Sequence, residues 1–480
     1  MEISNFNFYK NKTVIPYLYG FLFALSIILI NPWGGEDWGK IWIEPKLLVI
    51  QLLIILNLLV VLHHVSRYAL VIPSAWKIGF GLWLLFLGFG VTSTFLSPFP
   101  LRSFWGLPSL GDGLFYWFFV AAFVVSNALL LHLKPKLIRY QVYGLLMGGV
   151  ILALSIFIQV YDWRIDYTTT SGQISKINPE MLKSKIWKGQ MPIGFYTNRG
   201  EVAFPLAIEV VLTLLGLLWG WIYPPLAGVV YLLVCTALFH TKCRTALLAL
   251  LVALTCLLVR FRSDSKKRKI VICYGVGLFL VSYLIFKTSA TLLTPELTSS
   301  ASSESVKHGI KLNDFTSFGI RMDLWKLSLQ GIAKRPLFGW GFDGLGIAFP
   351  FIADWTGQHQ GYLFDKVDVA EILSLKEFLF TYLGVDGMVH VGVIMVQKAH
   401  NLIIDTAISV GIFGLISYIS LLMFFLICAF KSTLLGIEAV AITYLVYTLT
   451  WYESGQFSHL GWWGLSVGLG CTRLFKGKKE

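Results

Sequence analysis

The chain has 480 residues, 56% hydrophobic and 14% charged, with a formal net charge of +13. Soluble domains carry roughly 25% charged residues, so an ordinary soluble protein is excluded. A closed membrane barrel needs dyad alternation over roughly ten-residue strands, and runs such as "PYLYGFLFALSIILI" do not alternate. What remains is an all-α polytopic membrane protein, because apolar runs long enough to cross roughly 30 Å of hydrocarbon as helices recur along the chain.

The predicted elements start with Lys10 and Lys12 before an apolar run from Val14 to Ile30. No A-x-A cleavage site follows, so the run reads as a first span rather than a removed signal peptide. About twelve spans are expected, at 14–31, 45–63, 78–96, 113–132, 141–161, 200–220, 223–240, 245–261, 270–287, 401–430, 436–452 and 460–473. The tenth is long enough to tilt or to begin outside the membrane. The chain then divides into 1–161 (spans 1–5), a loop 162–199, 200–287 (spans 6–9), a large loop 288–400, and 401–480 (spans 10–12 and a basic tail).

Lysine and arginine orient these spans, since basic residues concentrate in cytoplasmic loops. With the N-terminus in the cytoplasm, the inside receives Lys10, Lys12, Arg67, Lys77, Lys134, Lys136 and Arg139. It also receives "RFRSDSKKRK" (260–269), Lys431 and the tail "RLFKGKKE". The net charge is therefore a topology signal, and the basic run needs no nucleic acid as partner. Both termini fall inside and both long loops outside. Loops of this length are commonly functional. The "TSSASSESVKHG" stretch (298–309) is low in complexity, and "PEMLKSKIWKG" (179–189) reads either as a solvated loop or as a segment resting on the outer leaflet.

In the large loop, "FGIRMDLWKLSLQGIAKRPLFGWGFDGLG" (318–346) spaces Ile320, Leu324, Leu327 and Gly331 as one helical face, which predicts an amphipathic helix over 319–334. Pro336 and the glycines end it. "GWGFDG" matches G-x-G-x-x-G, but no strand precedes it and no βαβ unit surrounds it. It reads as a tight turn with close backbone approach.

Basic residues gather on the outer side. "FYTNRGEVAF" puts Arg199 at the mouth of the sixth span, and "FHTKCRTALLALL" puts Lys242 and Arg244 at the mouth of the eighth. Arg321 lies in the loop helix, and "VQKAHNLIID" places Lys398, His400 and Asn401 at the mouth of the tenth span, with Asp405 one turn on. Singly these read as snorkelling or interfacial residues. Together they suit an anionic ligand, since arginine offers paired donors to phosphate oxygens and histidine accepts a proton near neutral pH. Glu209 is the acid well inside a span and a functional candidate on that ground. The six cysteines lie in or at the ends of apolar segments without zinc-ligand spacing and read as small hydrophobes.

Three of these stretches, "TKCRTALLAL", "RMDLWKLSLQGIAKRPLFGWGFDGLG" and "KAHNLIIDTAISVGIFGL", resemble the motifs of the O-antigen ligase/polymerase superfamily of bacterial membrane glycosyltransferases. The resemblance covers mainly residues 240–425. It implies a fold similar to GT-C-type membrane glycosyltransferases, with a large helical extracytoplasmic loop before the tenth span. It makes Arg244 and Arg321 holders of a donor diphosphate and His400 the base. Arg199 carries over more loosely as a substrate contact; Lys242, Lys398 and Asn401 join it as candidate substrate-binding residues from their place at the span mouths, with Lys398 open between donor contact and interface anchor and Asn401 read as orienting or capping. The implied donor is a glycan on undecaprenyl diphosphate, and the acceptor is a glycan (such as a lipid A core sugar), a lipid or a protein. Membrane lipids are partners and nucleic acid is not. The implied place is the bacterial cytoplasmic (inner) membrane, and no metal or nucleotide cofactor is implied. Ligase, polymerase and protein O-oligosaccharyltransferase activities stay open. So does transport-associated function in inorganic carbon uptake, for which the sparse midplane charge speaks poorly. One departure is Cys243, where the family often has serine.

Overall fold

The computed structural model describes residues 14–34, 39–69, 71–160, 192–293, 317–353, 369–376, 379–393 and 397–474. The basic segment 179–189, the Ser-rich stretch 298–309, Lys10, Lys12 and the end of the tail lie outside the described residues.

Each expected apolar run contains a helix, because in hydrocarbon the backbone must satisfy its own hydrogen bonds. The first part holds α1 (Val14–Ile28), α2 (Glu44–Val65), α3 (Ser74–Phe95), the short α4 (Pro100–Trp105), α5 (Leu114–Leu133) and α6 (Leu137–Val160). The second holds α7 (Arg199–Leu218), α8 (Pro224–His240), α9 (Arg244–Arg260), α10 (Ser265–Ile270) and α11 (Leu278–Leu293). Then come α12 (Ser317–Lys334), α13 (Gly344–Ile352), α14 (Leu402–Phe430), α15 (Glu438–Thr448) and α16 (Ser458–Gly470). Among the described residues, seven helices are long and apolar enough to cross a membrane. The chain is a multi-pass membrane protein on that ground. The expectation of about twelve full spans is met only in part: α15, with 11 residues, and α16, with 13, reach roughly 17 and 20 Å at 1.5 Å per residue.

The helices sort by exposure. In α7 every residue from Gly200 to Leu218 is buried, which makes it a central helix. At the periphery, α2 exposes Leu52, Ile55, Leu59 and Leu62, and α11 exposes Leu280, Val281 and Leu284. Such apolar strips mark lipid-facing surface. With lipid outside, apolar contact alone cannot hold helices together, and hydrogen bonds between them contribute. Tyr19 donates to Asn57 at 3.0 Å and Asn57 to Ser126 at 3.1 Å. Trp463 donates to Gln141, Gln141 to Asn127, and Asn127 to Ser466, each at 2.8 Å. This ladder joins α1, α2, α5, α6 and α16.

Two expectations need correction. The large loop 288–400 is not helical throughout among its described residues. Besides α12 and α13 it forms an antiparallel sheet of β1 (Val369–Leu375), β2 (Leu379–Gly384) and β3 (Val389–Val393), in the order β1-β2-β3. The reason is local: "LFTYLGVDGMVHVGV" alternates, and Gly387 at φ 75° closes the hairpin, where the Gly384 N–H donates to the Met388 carbonyl at 2.8 Å. Phe380 and Tyr382 turn to one side and pack with Leu324, Trp340, Phe349, Ile352 and Ile408.

The tenth span is also not one helix. It breaks at Gly411, where φ is 68° and ψ −172°. The "GWGFDG" turn docks into this break, with Gly339 at φ 69° and Gly341 at φ 97°. The Trp340 and Gly341 N–H groups donate to the Ile408 and Ser409 carbonyls at 2.9 Å, and the Ile412 N–H donates to the Pro336 carbonyl at 2.8 Å. A Cβ on Gly411 would fall on the Leu337 carbonyl and the Phe338 nitrogen. The expected close approach is thus between the loop and the broken helix. Nearby, the fully buried Arg102 of α4 pairs with Asp343 at 2.6 Å, tying the turn to the bundle.

Candidate functional site

The candidate residues share one structural feature: they stand at helix N-termini. Arg199 is the first residue of α7, whose N-cap Asn198 accepts from the Gly200 and Glu201 N–H groups. Arg244 is the first residue of α9. Arg321 lies near the start of α12. His400 precedes the N-cap of α14, Asn401, whose side chain accepts from the Ile403 and Ile404 N–H groups. Each helix start carries a partial positive charge, which favours an anion, while at α7 and α14 the asparagine caps already take two of the N–H groups.

Electrostatics and contacts bring these four ends together. Burial raises the Cys243 thiol, at the start of α9, above its ordinary value, and both Arg199 and Arg321 act on it in the opposite direction. Arg321 lies over the Trp451 ring, 5.9 Å from its centroid. Trp451 and Tyr452 in turn pack edge-on against the His400 ring, at 5.2 and 4.9 Å. Trp451 also covers Gly200, where a Cβ would strike its ring. The Tyr452 hydroxyl accepts from Asn198 Nδ2 at 3.2 Å. Arg199 and Arg244 are exposed and Arg321 half-buried. Among the described residues no carboxylate pairs with any of the three guanidinium groups. Lys242 is exposed in the α8–α9 turn at φ 50°.

His400 is held in a strained turn, with φ 54°, a left-handed conformation that costs a non-glycine residue about 1–2 kcal/mol. The Asp405 carboxylate accepts from the N–H groups on both sides of it, Ala399 at 2.7 Å and Asn401 at 3.3 Å. Trp325 Nε1 donates to the Ala399 carbonyl at 2.8 Å, and Asn401 Nδ2 to the Leu449 carbonyl at 3.1 Å. His400 Nδ1 is buried without a hydrogen-bond partner. Burial first, and then the positive charge of Arg321, push the imidazole down to about 4. It is neutral at pH 7 and free to accept a proton.

Asn401 caps α14, in keeping with the orienting or capping role read for it, and the ammonium of Lys398, a candidate for donor contact or interface anchor, is engaged internally. Lys398 pairs with Asp112 and is 11% exposed. Burial alone would depress its ammonium, but Asp112, Asp343 and Asp405 together hold it above its ordinary value. Behind the turn lies a cavity of about 40 Å³ lined by Asp112, Tyr116, Lys398, Asp405 and Glu453 among others. It has room for water and not for a sugar ring. Burial pushes the Glu453 carboxyl up to about 8. Glu209 is fully buried in α7 with both carboxylate oxygens unpartnered, and its side chain lies against Gly149 of α6. Among the described residues no group of three or more His, Cys, Asp or Glu side chains could hold a metal ion.

Sequence reading did not single out Asn198, Trp451, Tyr452, Asp112 or the clamp by Asp405. A partial signal existed in "FYTNRG", where an asparagine before a span start is an N-cap, and in "WYESGQF" (451–457), an aromatic and polar connector between two apolar runs.

The fold and the site define a multi-pass membrane protein with a cationic mouth built from helix N-termini around one neutral histidine. Residues 229–366 match the family model described as O-antigen ligase, which supports placing the chain in the O-antigen ligase superfamily. The matched segment includes Arg244, Arg321 and the "GWGFDG" turn and ends before His400. The match supports membrane glycan transfer of the ligase and polymerase type, with glycan substrates and lipid-linked donors in general. No curated protein matches the chain.

Proposed function

We propose that the protein transfers an oligo- or polysaccharide from undecaprenyl diphosphate to an acceptor hydroxyl at the outer face of the bacterial cytoplasmic membrane. The observation that carries this reading is that Trp451 gathers the cationic helix starts around the histidine: Arg321 lies over its ring at 5.9 Å, His400 packs against it at 5.2 Å, and Gly200, next to Arg199, lies under it. In the reaction the acceptor oxygen attacks the anomeric carbon. The bond from that carbon to the phosphate oxygen breaks, and its electron pair leaves with the diphosphate. Charge grows on the leaving group in the transition state, and Arg199, Arg244 and Arg321, without counter-carboxylates, stabilise it in a partly desolvated mouth. Fixed cations take the place of a metal in this scheme, so the transfer is metal-independent.

His400 Nε2 takes the acceptor proton. A base at about 4 removes little from a free hydroxyl, so transfer comes late, as the forming bond acidifies the oxygen. Bound diphosphate also neutralises Arg321, which lifts one of the two causes of the low basicity. His400 is then a better base with donor in place than without it. Lys242 lies beside Arg244 as an outer contact for the donor, while Lys398 and Asn401 serve by holding the turn.

The test is transfer by purified, reconstituted protein. His400→Ala should abolish transfer, with unchanged insertion and donor binding, and chelator should leave the wild-type rate unaltered. Full activity in His400→Ala sinks the mechanism. Deletion in the host separates the activities: long lipid-linked chains accumulate if the protein is a ligase, and single repeat units if it is a polymerase.

A further inference from the structure

The end of the bundle opposite His400 carries a second cavity, of about 310 Å³. Leu218, Trp219 and Trp221 line it from the end of α7, Phe261 from the end of α9, Lys267 from α10, and Thr433, Leu434 and Leu435 from the segment between α14 and α15. Six of its eight lining residues are aliphatic or aromatic, and Lys267 and Thr433 are the polar two. Trp219 and Trp221 pack at 4.7 Å between centroids, and Trp219 Nε1 donates to the Leu435 carbonyl at 2.9 Å, which fixes that wall. Lys267 is the one ammonium in the lining. It lies over the Phe261 ring at 5.4 Å and reaches Asp264 at 3.5 Å.

The surroundings are strongly basic. The run 260–269 holds Arg260, Arg262, Lys266, Lys267, Arg268 and Lys269 against Asp264 alone. Arg260 is paired with Glu438 at 3.1 Å, whereas Arg262, Lys266, Lys269 and Lys431 are exposed. An apolar cleft with a cationic rim, placed at the end of membrane helices, matches a molecule with acyl chains and a phosphate head. A soluble anion would meet one ammonium already shared with Asp264 and would leave the tryptophan and leucine walls unused. Tryptophan at this level suits the boundary between chains and headgroups, and basic pockets between membrane helices recognise anionic lipid heads.

We propose that this cavity is a binding site for an anionic phospholipid of the adjacent leaflet. Its phosphate is held by Lys267 and the exposed lysines of the run, and its chains lie against Trp219, Trp221 and Leu435. The site has a consequence for the mouth. The segments that line it are the far ends of α7, α9 and α14, and those helices carry Arg199, Arg244 and the His400 turn at their near ends. One lipid bridging three helix ends restrains their relative axial position roughly 30 Å away, given 20 residues in α7 at about 1.5 Å each.

The experiment uses the full chain purified in detergent. Its thermal midpoint is followed during titration with phosphatidylglycerol, with phosphatidylcholine of the same acyl chains, or with inorganic phosphate. The expected result is a saturable rise with phosphatidylglycerol only, weakened by salt. Lys267→Glu should lower the apparent affinity for phosphatidylglycerol about tenfold or more, and Lys267→Gln should lower it less. Phosphatidylglycerol brominated near the head should quench tryptophan fluorescence, and this increment should vanish in a Trp219→Phe/Trp221→Phe double variant. Equal shifts with both lipids, a shift with inorganic phosphate alone, or a retained phosphatidylglycerol response in Lys267→Gln and the double variant would overturn the proposal. Lys267→Gln decides the matter if Lys267→Glu does not fold.

Discussion

Replacement of Asp405 by alanine tests how the His400 turn is built. The carboxylate accepts from the Ala399 N–H at 2.7 Å and the Asn401 N–H at 3.3 Å. A hydrogen bond to a charged acceptor contributes about 1.5–3 kcal/mol net, and the longer one less, so the clamp is worth about 3 kcal/mol. It holds a left-handed residue at φ 54° against a backbone preference of about 1–2 kcal/mol. Without the clamp the turn proposed to place the base lies uphill by that amount. At about 1.4 kcal/mol per tenfold, the competent fraction falls to about a tenth or less, and misplacement of the imidazole adds to the loss. We expect kcat to fall about 10- to 100-fold. Donor affinity should stay within about threefold, because Arg199, Arg244 and Arg321 stand on other helices. Asp405→Asn keeps one accepting oxygen and should be intermediate. The assay is steady-state transfer in proteoliposomes with donor binding measured separately. A folded Asp405→Ala protein with wild-type kcat refutes the reasoning, and so does a parallel loss of donor affinity and kcat.

The other expectations are shorter. Arg321→Gln removes one of the two causes that lower His400, so the acid limb of the kcat/KM profile should move from near pH 4 upward, toward the ordinary histidine range. An unmoved limb in an active variant would separate Arg321 from His400. Arg321→Lys should bind donor better than Arg321→Ala and worse than wild type, since lysine keeps the charge and loses the planar fork. Gly411→Ala places a Cβ on the Leu337 carbonyl at φ 68°, ψ −172°, a nearly glycine-only region costing about 1–3 kcal/mol before the clash. Gly387→Ala, at φ 75° with open space around it, is the control. Thermal unfolding should show Gly411→Ala lower by several degrees, and equal midpoints would discount the docking of the loop into the broken helix.

Much of the site could be read from sequence because charge is rare in this chain. With 14% charged residues, each cation at a span mouth stands out, and topology sorts them to one side. This is how Arg199, Arg244, Arg321 and His400 were found. The same reading could not tell an engaged cation from an open one. Lys398 lies two residues from His400, yet its partner Asp112 comes from the α4–α5 connection, 286 positions earlier in the chain. Nothing local announces such a pair. The sheet β1-β2-β3 was missed for a different reason: its strands are short, and their alternation is faint beside the apolar runs around them.

Composition and the length of apolar runs by themselves determined the membrane class and the position of the long apolar helices, since hydrocarbon leaves a backbone little choice but to hydrogen-bond locally. The order of the basic mouths followed from the same counting. Tertiary structure decided the rest. It broke the tenth span at Gly411, because the Pro336 carbonyl and the N–H groups of the "GWGFDG" turn partner the Ile412 N–H and the Ile408 and Ser409 carbonyls that the break leaves unpaired. It set His400 in a left-handed turn, because Asp405 reaches back to both flanking amides. And it divided the cations into those that face an open mouth and the one that Asp112 holds inside, a division set by long-range packing that no local pattern encodes.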